Sequence, residues 1–349
     1  MRLIPEWAAV DAIVLAWPNE NTDWAPWLEE VKVTYSALIS AINAAGASVI
    51  LLHREGDNQD IKRRLEENAN VLLVEAQFND TWARDYAFLT CEMDGVRYPV
   101  EFEFNGWGNK FDARLDNQVN QRYLAPLCQQ ALVSIPIVCE GGALEIDAEG
   151  HLLTTQMCLS NPQRNGDFSL VAYQETLERH LGADKVSILK NGHLEGDDTD
   201  GHIDTLVRFT PQQGLVIQSC ANRKEDDHCE GLGALVEECQ RALPDHDIFE
   251  LPLPFIVNGD GERLPASYAN YLICNRAVIC PIYQQPEDQQ ALEVLVAAYP
   301  DHAIVPVNCL PLVQQFGSLH CVTMQIPQHT LRSDIVALLQ QGVTDYANQ

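Results

Sequence analysis

Five polar segments of the chain hold more reactive side chains than a turn or a solvated face requires. The most reactive is Phe316-Gly317-Ser318-Leu319-His320-Cys321-Val322-Thr323-Met324-Gln325-Ile326-Pro327, whose thiol is a candidate nucleophile once ionised. A cysteine in an apolar strand is ordinarily inert core, so Cys321 has to be argued from its company. On a strand, His320 and Cys321 point to opposite faces, which sends the search for a base elsewhere in the chain. The best candidate is His202, in Gly196-Asp197-Asp198-Thr199-Asp200-Gly201-His202-Ile203-Asp204-Thr205-Leu206-Val207-Arg208-Phe209, where four acids surround one imidazole. A nearby carboxylate favours the imidazolium, which can protonate a departing amine. On a strand, His202 and Asp204 would share a face and could address one ligand. A calcium loop is excluded, because the later Glu is missing and imidazole is a poor calcium ligand. A plain polar turn stays open.

The other three segments are also crowded with functional side chains. Asn79-Asp80-Thr81-Trp82-Ala83-Arg84-Asp85-Tyr86 brackets an Arg and a Trp with two acids. If it is extended, Asp80, Trp82 and Arg84 face one way while Thr81, Ala83 and Asp85 face the other. In Glu101-Phe102-Glu103-Phe104-Asn105-Gly106-Trp107-Gly108-Asn109-Lys110 the glycines flanking Trp107 permit an unusual backbone that could present the indole. Cys139-Glu140-Gly141-Gly142-Ala143-Leu144-Glu145 sets an acid at the end of the apolar run Val133–Val138, where α/β folds place chemistry. Each also has a plainer reading: a surface ion pair, a loop anchor and a turn.

The elements that must position these groups can be read from periodicity. Short apolar runs at 12–17, 47–52, 71–74, 214–217 and 277–282 are rich in β-branched residues and bounded by turn residues, so they are predicted as buried strands. Residues 27–45 place Leu28, Val31, Tyr35, Leu38 and Ile42 at helical spacing. Further helices are predicted at 58–68, 167–181, 230–242, 286–299 and 332–341. The alternation gives an α/β fold, with a faint repeat of strands plus a helix every 60–70 residues or so. No Pro/Ser/Gly-rich linker divides it, so residues 1–349 are read as one catalytic domain.

Composition narrows the partners. With 22 Lys+Arg against 50 Asp+Glu, the net charge of −28 repels nucleic acid and anionic lipid and attracts cations. No apolar run reaches the ~20 residues of a membrane span, and Pro5 and Glu6 interrupt the start of any signal peptide. A cytoplasmic protein is expected. The 11 cysteines are odd in number and contain no C-x-x-C pair, which suggests neither a disulfide framework nor a zinc ribbon and fits a reducing compartment. Dinucleotide, phosphate-loop, zinc-protease and serine-hydrolase motifs are all absent.

Taken in order, these segments resemble the agmatine deiminase family, relatives of the bacterial peptidylarginine deiminases within the guanidino-group-modifying enzymes. The likeness runs from Trp7 and Ala16-Trp17-Pro18, through the segments above, Leu153-Thr154-Thr155, Asn161-Pro162-Gln163-Arg164-Asn165 and Pro265-Ala266-Ser267-Tyr268-Ala269-Asn270, to Leu319–Pro327. It implies the pentein fold, a pseudo-fivefold α/β propeller of ββαβ units around a central active site. It implies Cys321 as nucleophile, His202 as general acid/base, Asp85 and Asp204 as the carboxylates that grip the guanidinium, and Glu140 as the residue orienting His202. Trp107, Asp198 and Asp80 are candidates for the distal ammonium of agmatine. One departure is local: many agmatine deiminases have Gly-Gly-Gly-Asn before Ile-His-Cys, whereas this chain has Gln315-Phe316-Gly317-Ser318.

The implied reaction is hydrolytic deimination of agmatine to N-carbamoylputrescine and ammonia through a Cys321 thiouronium, with no metal or organic cofactor. Deimination of arginine or peptidyl-arginine by the same residues is the alternative. A reading of a different class makes Asp85, His202, Asp204 and Cys321 a metal site in a binding protein. The expected partners are a small cationic guanidinium and a second copy of the chain in a homodimer, with neither nucleic acid nor membrane.

Overall fold

A computed structural model describes residues 1–65 and 69–346. They cluster into two compact units, Met1–Trp7 with Gly142–His320, and Ala8–Gly141 with Cys321–Gln349. Each is described by itself.

The unit of Ala8–Gly141 and Cys321–Gln349 is built on a sheet in the order Met324–Pro327, Val10–Ala16, Ser48–His53, Val71–Glu75 and Val343–Asp345. The first pairing is antiparallel and the rest are parallel. Parallel strands are covered on both faces, which explains why 12–17, 47–52 and 71–74 read as continuous apolar runs. Ile13, Val14, Leu15, Val49, Ile50 and Leu51 are all fully buried. Helix Leu28–Ala44 supplies the crossover and buries Val31, Tyr35, Leu38, Ile39 and Ile42. Helix Asn58–Arg64 realises the start of the predicted 58–68 helix, and residues 66–68 lie outside the described residues. In a second sheet, Leu89–Met93 pairs antiparallel with Val96–Glu103, which pairs parallel with Val133–Val138.

The unit of Met1–Trp7 and Gly142–His320 repeats that pattern three times. Glu145–Ile146 and His151–Thr155 are antiparallel, and Lys185–Leu189 returns parallel after helix Leu170–Leu181. Val207–Phe209, Gly214–Gln218 and Asp247–Leu251 do the same around helix Cys229–Ala242. Leu272–Cys274, Ala277–Ile282 and Ala303–Asn308 do so around helix Asp288–Ala298. Leu153, Ile203, Leu206, Phe209, Leu215 and Leu235 meet in one core, with Trp7 against it.

The faint sequence repeat is therefore a ββαβ unit, its first strands starting at Leu89, Glu145, Val207, Leu272 and Met324, with short 3-10 and π turns over residues 116–127 standing in for the helix in the copy from Leu89. The last copy borrows its second strand and helix from the chain start, since Met324–Pro327 pairs with Val10–Ala16. Among the described residues no helix is long and apolar enough to cross a membrane. The cysteines depart from expectation at one place: Cys220 and Cys229 form a disulfide with Cα atoms 5.2 Å apart. The chain folds back on itself over residues 220–229, a tertiary proximity that no spacing rule flags.

Candidate active site

In the unit of Ala8–Gly141 and Cys321–Gln349, Cys321 lies in a turn that ends before Met324–Pro327, and it is buried. The Cys321 carbonyl accepts the Arg84 N–H at 3.1 Å. The buried Arg84 side chain donates to Met324 Sδ at 3.5 Å and to the Gln325 amide oxygen. Arg84 thus fastens the strand that follows the thiol from a buried position, not from the surface. A Cβ on Gly141 would stand 2.2 Å from the Arg84 carbonyl, so glycine there lets residues 84 and 141 touch. Glu140, the residue before it, is fully buried just past Val133–Val138.

Asp85 sits on the short helix Ala83–Tyr86, not on an extended segment, so the expected alternation of faces does not apply. Its Oδ2 accepts the Trp107 indole N–H at 2.9 Å, and both residues are buried. The sequence Asn105-Gly106-Trp107-Gly108 bends to make that contact. Gly106, Trp107 and Gly108 take φ of 70, 55 and 82°, and Asn105 Oδ1 accepts the Gly108 N–H at 2.9 Å. A Cβ on Gly106 would meet the Phe111 carbonyl at 2.3 Å. A left-handed Trp costs on the order of 1–3 kcal/mol. The edge-to-face rings of Phe104 and Phe111, at 5.1 and 5.6 Å, box the indole in place. Trp107 therefore serves Asp85 directly, which its placement in the ammonium pocket did not anticipate.

The segment before Asp85 is laced down by residues without a sequence signature. Asn79 N–H donates to Asp116 Oδ1 at 2.6 Å, while Leu115 N–H donates to Asn79 Oδ1 at 2.7 Å. Asn120 donates to the Tyr86 carbonyl at 2.7 Å and accepts the Phe88 N–H at 2.8 Å. Burial pushes the Asp116 carboxyl up to about 8 against the opposing backbone donors. Asp80 accepts the Thr81 N–H at 2.7 Å, and burial together with the charge of Asp23 raises it to about 6.

In the unit of Met1–Trp7 and Gly142–His320, the loop before His202 is folded by its own acids. Asp197 accepts from the Thr199 hydroxyl and amide with one oxygen and from Gly201 N–H with the other, at 2.6, 2.9 and 2.6 Å. Asp200, at φ 67°, accepts from Arg164 at 2.6 Å and Asn161 at 2.8 Å. Arg164 also reaches the Thr199 carbonyl at 2.8 Å, and Thr155 caps the Gly201 carbonyl at 2.7 Å. These bonds tie the loop to Thr155, Asn161 and Arg164, which lie in the segments that carry the family likeness. Asp198 is half-buried on the same loop.

His202 is buried and leads into the 3-10 turn Ile203–Thr205, not a strand, so sharing a face at spacing two is not what relates it to Asp204. Its N–H donates to Thr199 Oγ1 at 3.1 Å, and its carbonyl accepts the Thr205 hydroxyl at 2.9 Å. Asp204 is buried; Oδ2 lies 2.7 Å from His320 Nδ1, and Oδ1 has no hydrogen-bond partner among the described residues. Burial alone would raise this carboxyl. The His320 hydrogen bond, with the positive charges of His320, His202 and Arg208, outweighs it and holds Asp204 below the usual carboxylate range. A buried anion with an open oxygen is suited to a cationic N–H donor.

Periodicity missed the His320 ring, Glu6, Arg208 and Asn270. His320 is in a turn, not a strand, and its Nε2 lies 2.9 Å from both Glu6 oxygens. Asn270 Oδ1 and its carbonyl accept the His320 N–H at 3.0 and 3.1 Å. Asn270 closes the quoted 265–270 motif, the one signal that could have found it. The family departure before Cys321 is also accommodated: Phe316 takes φ 63°, a conformation suited to glycine, and Ser318 shares a 2.8 Å hydrogen bond with Tyr283.

Comparison with known proteins places these residues in a family context. The family of Porphyromonas-type peptidyl-arginine deiminases matches over residues 2–327. An agmatine deiminase of Pseudomonas aeruginosa is 28% identical, covering 93% of this chain and 95% of that protein. A cysteine-to-serine variant of the C. jejuni agmatine deiminase, solved with substrate bound, is 31% identical with a TM-score of 0.87, covering 95% and 97% of the two chains. The N-terminal domain of the arginine dihydrolase ArgZ is 12% identical with a TM-score of 0.52, a likeness of fold.

Proposed function

Because the chain belongs to the Porphyromonas-type peptidyl-arginine deiminase family and has its pentein fold, we propose that it hydrolyses agmatine to N-carbamoylputrescine and ammonia. It is a hydrolase of C–N bonds in linear amidines. The observation that carries the substrate class is Asp204, a buried carboxylate held ionised with Oδ1 left open, which fits a cation that brings its own N–H donors. Relatives that are agmatine deiminases favour agmatine among such cations.

In this reading residues 1–349 act as one catalytic domain. Asp85 and Asp204 accept guanidinium N–H donors and hold the carbon for attack. The Cys321 thiolate adds to that carbon, and His202 protonates the departing ammonia, leaving a thiouronium. His202 then takes a proton from water, hydroxide adds to the same carbon, and the C–S bond breaks as the new hydroxyl gives its proton to solvent, releasing the neutral ureido product and the thiolate. Glu140 orients His202. Trp107 acts through Asp85, as its hydrogen bond supports. Asp80 and Asp198 are assigned to the far ammonium, which a carboxyl near 6 such as Asp80 can meet as an anion at neutral pH.

Ammonia release from agmatine, free arginine and a peptide with C-terminal arginine tests the assignment. A kcat/KM for agmatine at least ~100-fold above the others is expected. Preference for arginine or the peptide would reassign the substrate while leaving the chemistry intact.

A further inference from the structure

We infer that His320, the residue before the nucleophile, is a positioning residue that aims Asp204 at the substrate as the second member of a buried chain of alternating charges. The inference rests on Asp204 being a guanidinium-binding carboxylate.

The chain of contacts lies wholly within the unit of Met1–Trp7 and Gly142–His320. Asp204 Oδ2 meets His320 Nδ1 at 2.7 Å, and His320 Nε2 meets the Glu6 carboxylate at 2.9 Å. Glu6 Oε2 takes a hydrogen bond from the Arg208 guanidinium, whose Nε donates to Glu145 at 2.8 Å. Arg208 is fully buried, stacks 4.7 Å over the Tyr271 ring, and donates to the Tyr271 and Ala269 carbonyls at 2.7 and 3.2 Å. Asn270, between those two carbonyls in sequence, grips the His320 amide. The imidazole therefore cannot swing without breaking contacts at both ring nitrogens, and Asn270 fixes the backbone that carries it.

An imidazole with a carboxylate at each nitrogen satisfies both only when doubly protonated. The series then reads anion, cation, anion, cation from Asp204 to Arg208 and ends on Glu145, whose carboxyl burial pushes up to about 7; with Glu145 ionised above that pH it carries one net negative charge. Its open end is Asp204 Oδ1, which has no hydrogen-bond partner among the described residues. A bound guanidinium continues the alternation and neutralises the whole. Neutral His320 would turn a lone pair toward one of its two carboxylates, and Asp204 would lose its fixed orientation. Charged groups facing His320 include Asp204 and Glu6, with Arg208 and Glu145 behind Glu6, and His202 acting on Asp204 from its own turn.

The test compares wild type, Glu6→Gln and Asp204→Asn from pH 6 to 9, with thermal melting to verify folding. In Glu6→Gln, His320 faces one carboxylate instead of two and gives up its proton at lower pH. The KM for agmatine should then climb with pH, by at least ~10-fold more across the range than in wild type. A purely structural role for Glu6 would lower activity by the same factor at every pH, and such parallel profiles would overturn the inference. Should Glu6→Gln not fold, 15N-histidine NMR of the His202→Gln protein at pH 8 decides. One imidazole with both nitrogens protonated supports the inference, and none overturns it. Asp204→Asn separates the two levels: wild-type kcat/KM there would sink the binding role of Asp204 and this inference with it. Loss there, combined with parallel Glu6→Gln profiles, would sink the positioning role alone.

Discussion

The indole N–H of Trp107 donates to Asp85 Oδ2 at 2.9 Å, and a left-handed backbone at Trp107 is held in place to make that contact. The strain and the hydrogen bond go together: a relaxed Trp107 would carry its Nε1 away from the carboxylate. Trp107→Phe keeps the ring and removes the donor. A hydrogen bond to a charged group contributes about 1.5–3 kcal/mol, so kcat/KM for agmatine should fall ~10- to 100-fold while the melting temperature changes little. Unchanged kinetics would show that Asp85 needs no such partner.

Cys321→Ser should lose turnover by at least ~1,000-fold, because a serine hydroxyl is a far weaker nucleophile at neutral pH. Ureido product is the readout. Mass spectrometry of quenched wild-type enzyme should also show a covalent adduct that the serine variant lacks. Activity of both proteins in a chelator separates this chemistry from the metal-site reading, and the wild type should be unaffected.

Gly141→Ala places a Cβ against the Arg84 carbonyl, a backbone atom that cannot turn aside. The expected cost is about 1–3 kcal/mol, read as a lower denaturant midpoint, with a loss of activity as Glu140 and Asp85 are displaced. Gly231→Ala is the matched control: its Cβ would meet nothing, and a helical alanine should be neutral or stabilising.

Asp116 has its pKa raised from 3.8 to about 8 by burial. The folded protein therefore binds a proton that the unfolded chain has released, and stability falls as pH rises between those two values. Asp116→Asn keeps the oxygen that accepts from Asn79 and removes the titration. Its melting temperature should vary less from pH 5 to 8.5 than that of wild type and exceed it at the alkaline end. Equal slopes would place Asp116 as a carboxylate throughout.

Arg164 joins Asp200 and the Thr199 carbonyl through two nitrogens of one planar group. Lysine retains the charge but not the fork. Arg164→Lys should loosen the loop leading to His202 and lower kcat several-fold more than it raises KM. If Arg164→Lys matches wild type in both constants, the loop needs only a charge at that position.

Much of the fold was legible because it rests on local patterns. The runs at 12–17, 47–52 and 71–74 read as buried strands since both faces of a parallel sheet exclude water, and helix Leu28–Ala44 showed its apolar stripe plainly. The ββαβ repeat was only faint, since each copy keeps the pattern and not the residues. Its last copy is assembled from Met324–Pro327 and the chain start, which no linear scan reveals.

By itself, the sequence determined the candidate chemistry: a thiol at 321, an imidazole at 202, acids at 85, 140 and 204, and an order of motifs shared with guanidine-modifying enzymes. Side-chain types and their order are enough for that, since reactivity begins with functional groups. Tertiary structure decided how each group is held. Asp85 and the 203–205 segment are turns of helix, not strands, so alternation along the chain gave the wrong facing rule for both. Trp107 became the partner of Asp85, and His320 the partner of Asp204 and Glu6, the latter 314 residues away in sequence. Hydrogen bonds between side chains remote in sequence leave no period to read; they exist only once the backbone has brought the groups within ~3 Å.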